Sequence, residues 1–436
     1  MRHPGRWPMH WQILAALLAG GAVGSSLAGS ESHLAAPLVS VFGQIGGLFL
    51  NALKMLVVPL IVASIIAGVN QNAPHAAIGR MGWLTLGFYV GSGLVAVAVG
   101  IALANAIRPG ELHGVPLGVQ IGLPPLPPDI NPAALSVSQQ LSHFLQQLIP
   151  SNLVKAAAEG QFIGLIVFSL LFGLALRQLR GEAADAQIHF WTGLNQVMLL
   201  ITDWLMRLAP VGVFSLIATM AARTGLEAVG PLLWFMGTVL AGLAVHLAIT
   251  LPLLLRFVAG VSPRRHFQAM LPALLMAFST SSSAATLPLT LKCLEERAGV
   301  SPRTAGFVVP IGTTVNMDGT ALFECVVVLF VAQLYGIHLD LLQQIVVLAI
   351  ALLTSMGVAG IPSASLVSIA MILSLLGLPL EALGLVLGVD RVLDMSRTAV
   401  NVFGDSAGAV IVARLEGEAE VLAEPPDARQ RRLAAG

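Results

Sequence analysis

Long uncharged apolar runs separated by short polar connectors dominate the chain. Trp11–Gly29, Met81–Ile107, Phe162–Leu176 and Gly230–Leu255 are continuous, not alternating. A helical membrane span needs about 20 apolar residues, whereas a barrel strand needs about 10 that alternate with polar ones. The pattern therefore predicts helices. Charge-poor runs predict eight crossings, near 11–29, 38–70, 81–108, 160–178, 190–222, 228–257, 304–335 and 382–414. The second and fifth are long for one crossing, which predicts tilt or a bend at Pro59 and Pro210.

Two stretches break the pattern. Leu341–Leu380 carries no charge but is interrupted by Gly357-Val358-Ala359-Gly360-Ile361-Pro362-Ser363-Ala364-Ser365. Its arms, about 15 residues each, reach about 23 Å as helix, short of a 30 Å hydrocarbon core. His266–Leu291 is broken by Ser279-Thr280-Ser281-Ser282-Ser283-Ala284-Ala285-Thr286-Leu287-Pro288. Both predict re-entrant helical hairpins, since non-helical backbone at membrane depth must be buried in protein or line a watery cavity. Each is followed by a span with buried polar residues. Two such units entering from opposite faces predict inverted repeats with a midplane site.

Composition agrees with a polytopic membrane protein. Of 436 residues, 56% are hydrophobic and 10% charged, against about 25% charged in soluble domains. The 22 basic and 22 acidic residues cancel, so no net field suits nucleic acid. Cys293 and Cys325 form neither a disulfide framework nor a metal spacing. Arg2 and Arg6 precede an apolar stretch that resembles a signal peptide, but the run exceeds the usual 7–15-residue core and predicts a retained first span. Arg80, Arg177, Arg180, Arg256, Arg264, Arg265, Lys292, Arg297, Arg303 and Arg414 share one side. The positive-inside rule then predicts cytoplasmic termini in a cell (inner) membrane. Residues 109–150, with Pro124-Pro125-Leu126-Pro127-Pro128, read as an extended external loop. The tail after 415 reads as cytoplasmic and poorly ordered.

The strongest chemistry lies in the last span. Asp390, Asp394, Arg397, Asn401 and Asp405 are spaced by 4, 3, 4 and 4 residues, which puts them on one helical stripe. A charge at mid-membrane costs about 2.5–3.5 kcal/mol on insertion scales, so these groups must face a site or one another. The seventh span carries Gly312-Thr313-Thr314-Val315-Asn316-Met317-Asp318-Gly319-Thr320. Asn, Asp and Gly are poor helix formers, and a helix unwound here frees carbonyls. Carbonyls, an amide oxygen and a carboxylate suit a dehydrated alkali cation.

The Ser281-Ser282-Ser283 tip with Thr286-Leu287-Pro288, the Asn316-Met317-Asp318-Gly319-Thr320 run, the Gly-Ile-Pro tip and the last-span stripe resemble the glutamate transporter family of dicarboxylate/amino acid:cation symporters. The resemblance covers about residues 11–415. It implies a homotrimer in which each protomer works alone by an elevator movement. Spans 1, 2, 4 and 5 would be scaffold; spans 3 and 6 within 1–257 would join the 258–415 core of hairpins and spans 7 and 8, with 416–436 a tail. It further implies that Arg397 takes the substrate side-chain carboxylate and Asp394 the amino group. Thr398 and Asn401 complete the cage, and Ser283 and the Ile361 backbone hold the other carboxylate, with Thr320 nearby. One sodium site would use Asp405, Asn401, Gly312 and Asn316. A second would use carbonyls of Thr314, Ser355, Met356 and Val358, and a third Asp318, Asn316, Tyr89 and Ser92. Glu324 matches the proton carrier of animal excitatory transporters. No cofactor is implied beyond Na+, with H+ as a further coupling ion.

Some positions depart from the family pattern. Gly93 stands where a hydroxyl often helps the third ion. Ser281 and Met395 stand where a second arginine is common, leaving Arg391 a turn earlier. Ser363 and Ser365 replace glycines of the second tip. The expectation is a sodium-driven symporter of L-glutamate or L-aspartate. The alternative is a proton- or sodium-coupled C4-dicarboxylate carrier, and a neutral amino acid transporter ranks lower. Asp394 favours an ammonium-bearing substrate over a second dianion. A cation channel is disfavoured, because the Arg397 guanidinium raises a barrier on a cation path. Gly404-Asp405-Ser406-Ala407-Gly408 fits the hydrolase G-x-S-x-G pattern, but it lies within an apolar helix and no histidine follows it. The histidines, His246 and His266 among them, read as interfacial or packing residues.

Overall fold

A computed structural model describes residues 9–28, 35–71, 79–112, 114–118, 149–158, 162–224, 229–355 and 382–435, together with Ser365, 368–369, 372–373 and 378–379. The helices in chain order are α1 (Met9–Leu27), α2 (Ala35–Gln71), α3 (Arg80–Ile107), α4 (Leu153–Ala158), α5 (Phe162–Leu176), α6 (Glu182–Met206) and α7 (Ala209–Thr224). There follow α8 (Val229–Val245), α9 (Leu251–Phe257), α10 (Pro263–Thr280), α11 (Ser283–Lys292), α12 (Pro302–Val315), α13 (Asp318–Leu334), α14 (Leu341–Ser355), α15 (Leu383–Leu415) and α16 (Pro426–Ala435). Wider π turns continue α8 through His246–Thr250 and α11 through Cys293–Ala298.

Among the described residues, three helical stretches are long and apolar enough to cross a membrane unaided: Arg80–Ile107, Gly230–Phe257 and Pro302–Leu334. In the third, 94% of the apolar window is buried, against 33% and 39% in the other two. The α12–α13 rod is therefore central to the group of helices that packs around it, α3, α8, α14 and α15 among them. The long 190–222 run is two helices, broken after Met206, and Pro210 sits in the first turn of α7 where its missing N–H is tolerated. Pro59 lies inside an unbroken α2.

Packing falls into two groups. Helices α1, α2, α5, α6 and α7 contact one another, with Phe49, Ala209, Val213 and Ile217 as their buried cluster. Helices α3, α8 and α10–α15 form the other group, which holds the two larger cores. The first hairpin is present, α10 and α11 being joined at Ser281-Ser282. Ser281 adopts the left-handed conformation (φ 51°), and Ser282 caps α11 by accepting from Ala285 N–H at 3.2 Å. The second tip, with Met356, Val358, Ile361 and Ser363, lies outside the described residues.

Most of the loop expected to run extended, 119–148 with Pro124–Pro128, lies outside the described residues; before it Glu111–Leu112 and Val115–Pro116 form β1 and β2, paired antiparallel with Glu111 opposite Pro116. Gly110 N–H and Gly118 N–H bond to Gln333 Oε1 and Leu334 O, which docks this ladder on the end of α13.

The tail is also ordered. Val421 and Leu422 are buried, Arg265 donates to the carbonyls of Leu422 (3.0 Å) and Ala423 (2.7 Å), and Arg297 donates to Gln430 Oε1 (2.7 Å). Glu418 caps α12, accepting from Ser301 N–H (2.8 Å), Ser301 Oγ (2.7 Å) and Thr304 Oγ1 (2.6 Å). Partial burial opposes its charge, but these bonds prevail and hold the carboxyl below its ordinary range. High polarity suggested disorder; the polar groups instead find partners on the ends of α10, α11 and α12.

Candidate substrate and ion site

The rod breaks at two residues. Asn316 (φ −93°, ψ 82°) and Met317 (φ −112°, ψ 48°) leave helical geometry, so α12 ends and α13 begins in the middle of the buried core. The end of α12 turns unpaired carbonyls into the gap, and the start of α13 turns amides into it. The first favours a cation and the second an anion. The α15 stripe lies alongside this gap. Asn401 stitches the break together: its Oδ1 accepts from Gly319 N–H at 2.8 Å, while its Nδ2 donates to Thr320 Oγ1 and Met317 Sδ, both at 3.2 Å.

On one side lies an oxygen-rich cluster. Asn316 Nδ2 donates to Asp405 Oδ1 at 3.0 Å, and Ser92 Oγ lies 3.4 Å from Asn316 Oδ1 and 3.3 Å from Asp318 Oδ1. Tyr89, buried, donates to Val308 O at 2.9 Å. The fit is close: a Cβ on Gly312 would lie 2.5 Å from Asp405 Oδ1 and 2.6 Å from the Tyr89 hydroxyl oxygen. Gly312 therefore lets the α12 backbone approach a carboxylate. A Cβ on Gly93 would meet Leu352 Cδ2 at 2.8 Å and Asp318 Oδ1 at 3.3 Å, so Leu352 occupies the space a side chain at 93 would need. His246 was read from the sequence as interfacial or packing; it is fully buried and its Nε2 lies 3.0 Å from Asp318 Oδ2. The π turn that begins at His246 is the local cause, since wide turns re-aim side chains and recur at functional sites.

On the other side lie the charged groups. Arg397 is 1% exposed, and its Nη2 donates to Asp394 Oδ1 at 2.8 Å and Asp390 Oδ1 at 3.0 Å. Its Cζ sits 3.8 Å over the Phe323 ring, a cation–π contact. Its buried Nε and Nη1 find no hydrogen-bond partner among the described residues. Arg391 Nη1 stands 3.8 Å from Asp394 Oδ2, so Asp394 is flanked by two guanidiniums. Thr398 Oγ1 bonds back to Asp394 O at 2.8 Å. Next to Phe323, Glu324 is wholly buried; its Oε2 accepts from Thr354 Oγ1 at 2.9 Å, and the Ser368 hydroxyl also bonds its carboxyl.

Other expected residues are less closely joined. Ser283 is buried in the first turn of α11. Thr314 and Ser355 spend their hydroxyls within their own helices, on Ile311 O and Leu352 O. Ile361, Met356 and Val358 lie outside the described residues.

The G-x-S-x-G segment does acquire a histidine. His266, from α10, places Nε2 3.0 Å from Ser406 Oγ, although no histidine follows Ser406 in sequence. Both are fully buried, Ser406 Oγ also bonds Phe403 O within its helix, and no carboxylate orients His266 Nδ1 among the described residues. The pair ties the first hairpin to α15 and lacks the strand-to-helix elbow of a hydrolase.

The profile of the sodium:dicarboxylate symporter family matches residues 9–415. The chain belongs to that family. It is 35% identical to the rabbit (Oryctolagus cuniculus) neutral amino acid transporter B(0), over 96% of this chain and 82% of the relative. It is 32% identical to the Escherichia coli proton/glutamate-aspartate symporter, over 94% and 93%, and 30% identical to the Geobacillus stearothermophilus proton/sodium-glutamate symport protein, over 94% of each. It is thus similar to symporters of acidic substrates and to carriers of neutral ones. The family is one of membrane transporters driven by sodium or protons, not of enzymes.

Proposed function

We propose that this symporter carries acidic amino acids, L-aspartate or L-glutamate, together with sodium. The carrying observation is Arg397, whose Nε and Nη1 have no partner among the described residues while Nη2 is held by Asp390 and Asp394. A guanidinium is planar and permanently charged, so Nε and Nη1 each keep N–H donors for the oxygens of a substrate carboxylate. Asp394 lies one turn away and suits an ammonium. The start of α13 favours the second carboxylate, and the Asp405–Asn316–Gly312 cluster suits sodium.

A neutral substrate is the second reading, favoured by the internal neutralisation of Arg397 and by the B(0) relatives. The C4-dicarboxylate alternative is weakened by Asp394. Two packing groups, α1, α2 and α5–α7 against the rest, support an elevator in which 258–415 with α3, α8 and α9 moves on a trimeric scaffold. Both termini would then be cytoplasmic, in a cell inner membrane.

Glu324 is the proton-carrier candidate, being wholly buried on α13 next to Phe323, whose ring lies under Arg397. The test is uptake into proteoliposomes of labelled aspartate, glutamate, succinate, serine and glutamine under imposed sodium or proton gradients. Saturable, sodium-dependent aspartate or glutamate uptake is expected. Preference for succinate or for the neutral amino acids would overturn the assignment.

A further inference from the structure

Where α5 ends and α6 begins, a cavity of about 710 Å3 opens against the end of α2. Arg177, Arg180, Asn70, Asp185, Ala184 and Ile188 are among its lining residues. Neither guanidinium bonds or pairs with another described residue. Asn70 joins α2 to α5 through Nδ2, which donates to Ile66 O (2.8 Å) and Gly173 O (3.4 Å), while its buried Oδ1 has no partner among the described residues. The wall thus offers two cations, one carboxylate and one unsatisfied acceptor.

One turn deeper the character changes. Phe172 on α5 and Trp191 on α6 meet edge to face at 5.5 Å, flanked by Phe168 and Phe190. Trp191 follows Ile188 by three residues and Ala184 by seven, which places it on the cavity face of α6. Beyond it Phe168, Leu171 and Leu174 are exposed. Guanidiniums at the rim, aromatic rings one turn in and exposed aliphatic surface beyond follow the depth profile of one membrane leaflet.

We propose that this cleft binds an anionic phospholipid. Its phosphodiester would lie on Arg177 and Arg180, a hydroxyl of its headgroup would donate to Asn70 Oδ1, and its acyl chains would lie along Phe172 and Trp191. Net charge at the rim is plus one, which favours an anionic over a zwitterionic headgroup; basic pockets between spans recur as such sites. The volume accommodates a substituted phosphodiester and not merely an ion. The site is separate from the substrate groups, which lie on α12, α13 and α15.

The test is native mass spectrometry of the full-length protein in detergent, titrated with phosphatidylglycerol, phosphatidylcholine or inorganic phosphate. Phosphatidylglycerol should bind at much lower concentration than phosphatidylcholine, and phosphate should not displace it. In Arg177→Gln/Arg180→Gln its binding should weaken by roughly tenfold or more, given the attraction each interfacial basic residue supplies. Ala184→Phe, which fills the cleft with both arginines intact, should weaken it too. Arg256→Gln, at another helix end, should leave it unchanged. Unaltered binding in both cleft variants overturns the site, and displacement by phosphate overturns the lipid assignment in favour of a soluble anion.

Discussion

On the proposed reading, Arg397 is the residue on which substrate choice turns. Truncating one partner of a buried charge pair costs about 2–5 kcal/mol, much of it from the charge left behind. Arg397→Cys leaves Asp390 and Asp394 facing each other without their shared cation. Aspartate and glutamate uptake should be lost, with uptake of small neutral amino acids such as serine gained. Unchanged aspartate affinity would refute the role. Asp405 supplies the charge next to Gly312, so Asp405→Asn should raise the sodium concentration for half-maximal uptake steeply; a wild-type sodium curve would make Asp405 structural. Gly312→Ala should damage the same site sterically, because its Cβ would fall 2.5 Å from Asp405 Oδ1. The stripe on α15 was legible in the sequence because helical spacing is rigid. His246 was not, because nothing in its apolar neighbourhood reveals that a π turn aims it at Asp318 from 72 residues away.

At the scale of elements, breaks shape the candidate site. The α12–α13 interruption was foreseen from Asn316, Asp318 and Gly319, which are poor helix formers, and the first hairpin from its serine-rich tip. The break before Pro210 was foreseen only as a bend, since a proline near a helix start and one inside a helix look alike in sequence. The cap on α12 was invisible, because Glu418 is more than a hundred residues from Ser301. Its carboxyl is depressed in the folded chain, so its contribution is present above the ordinary carboxylate range and disappears as pH falls through the lowered value. Glu418→Gln should lower the thermal midpoint at pH 7 and narrow the gap to wild type at the most acidic pH the protein tolerates. An equal gap at both would place the effect in packing.

For the whole molecule, coupling is the open variable. If Glu324 carries a proton while the mobile group crosses, aspartate uptake under a sodium gradient should acidify the vesicle interior. Glu324→Gln should keep substrate binding and flatten the pH dependence of uptake. No acidification by the native protein would rule out proton symport. The second hairpin tip, expected to supply the Ile361 backbone to the substrate, is the part of the site for which the sequence motif alone speaks.

The ordered tail has a consequence for how the protein is made. A ribosome delivers α10, α11 and α12 well before Glu418, Leu422 and Gln430 emerge. Until then Ser301 and Arg265 lack their tail partners, and the first hairpin is held by its own bonds from Arg297 to Ala269 O and Gln268 O. The hairpin therefore passes through insertion without its tail contacts and gains them only as Glu418, Leu422 and Gln430 emerge. Nascent chains carrying residues 1–415 should show faster protease cleavage between Ser262 and Ser301 than chains carrying residues 1–435, each stalled on a linker long enough to clear the ribosome.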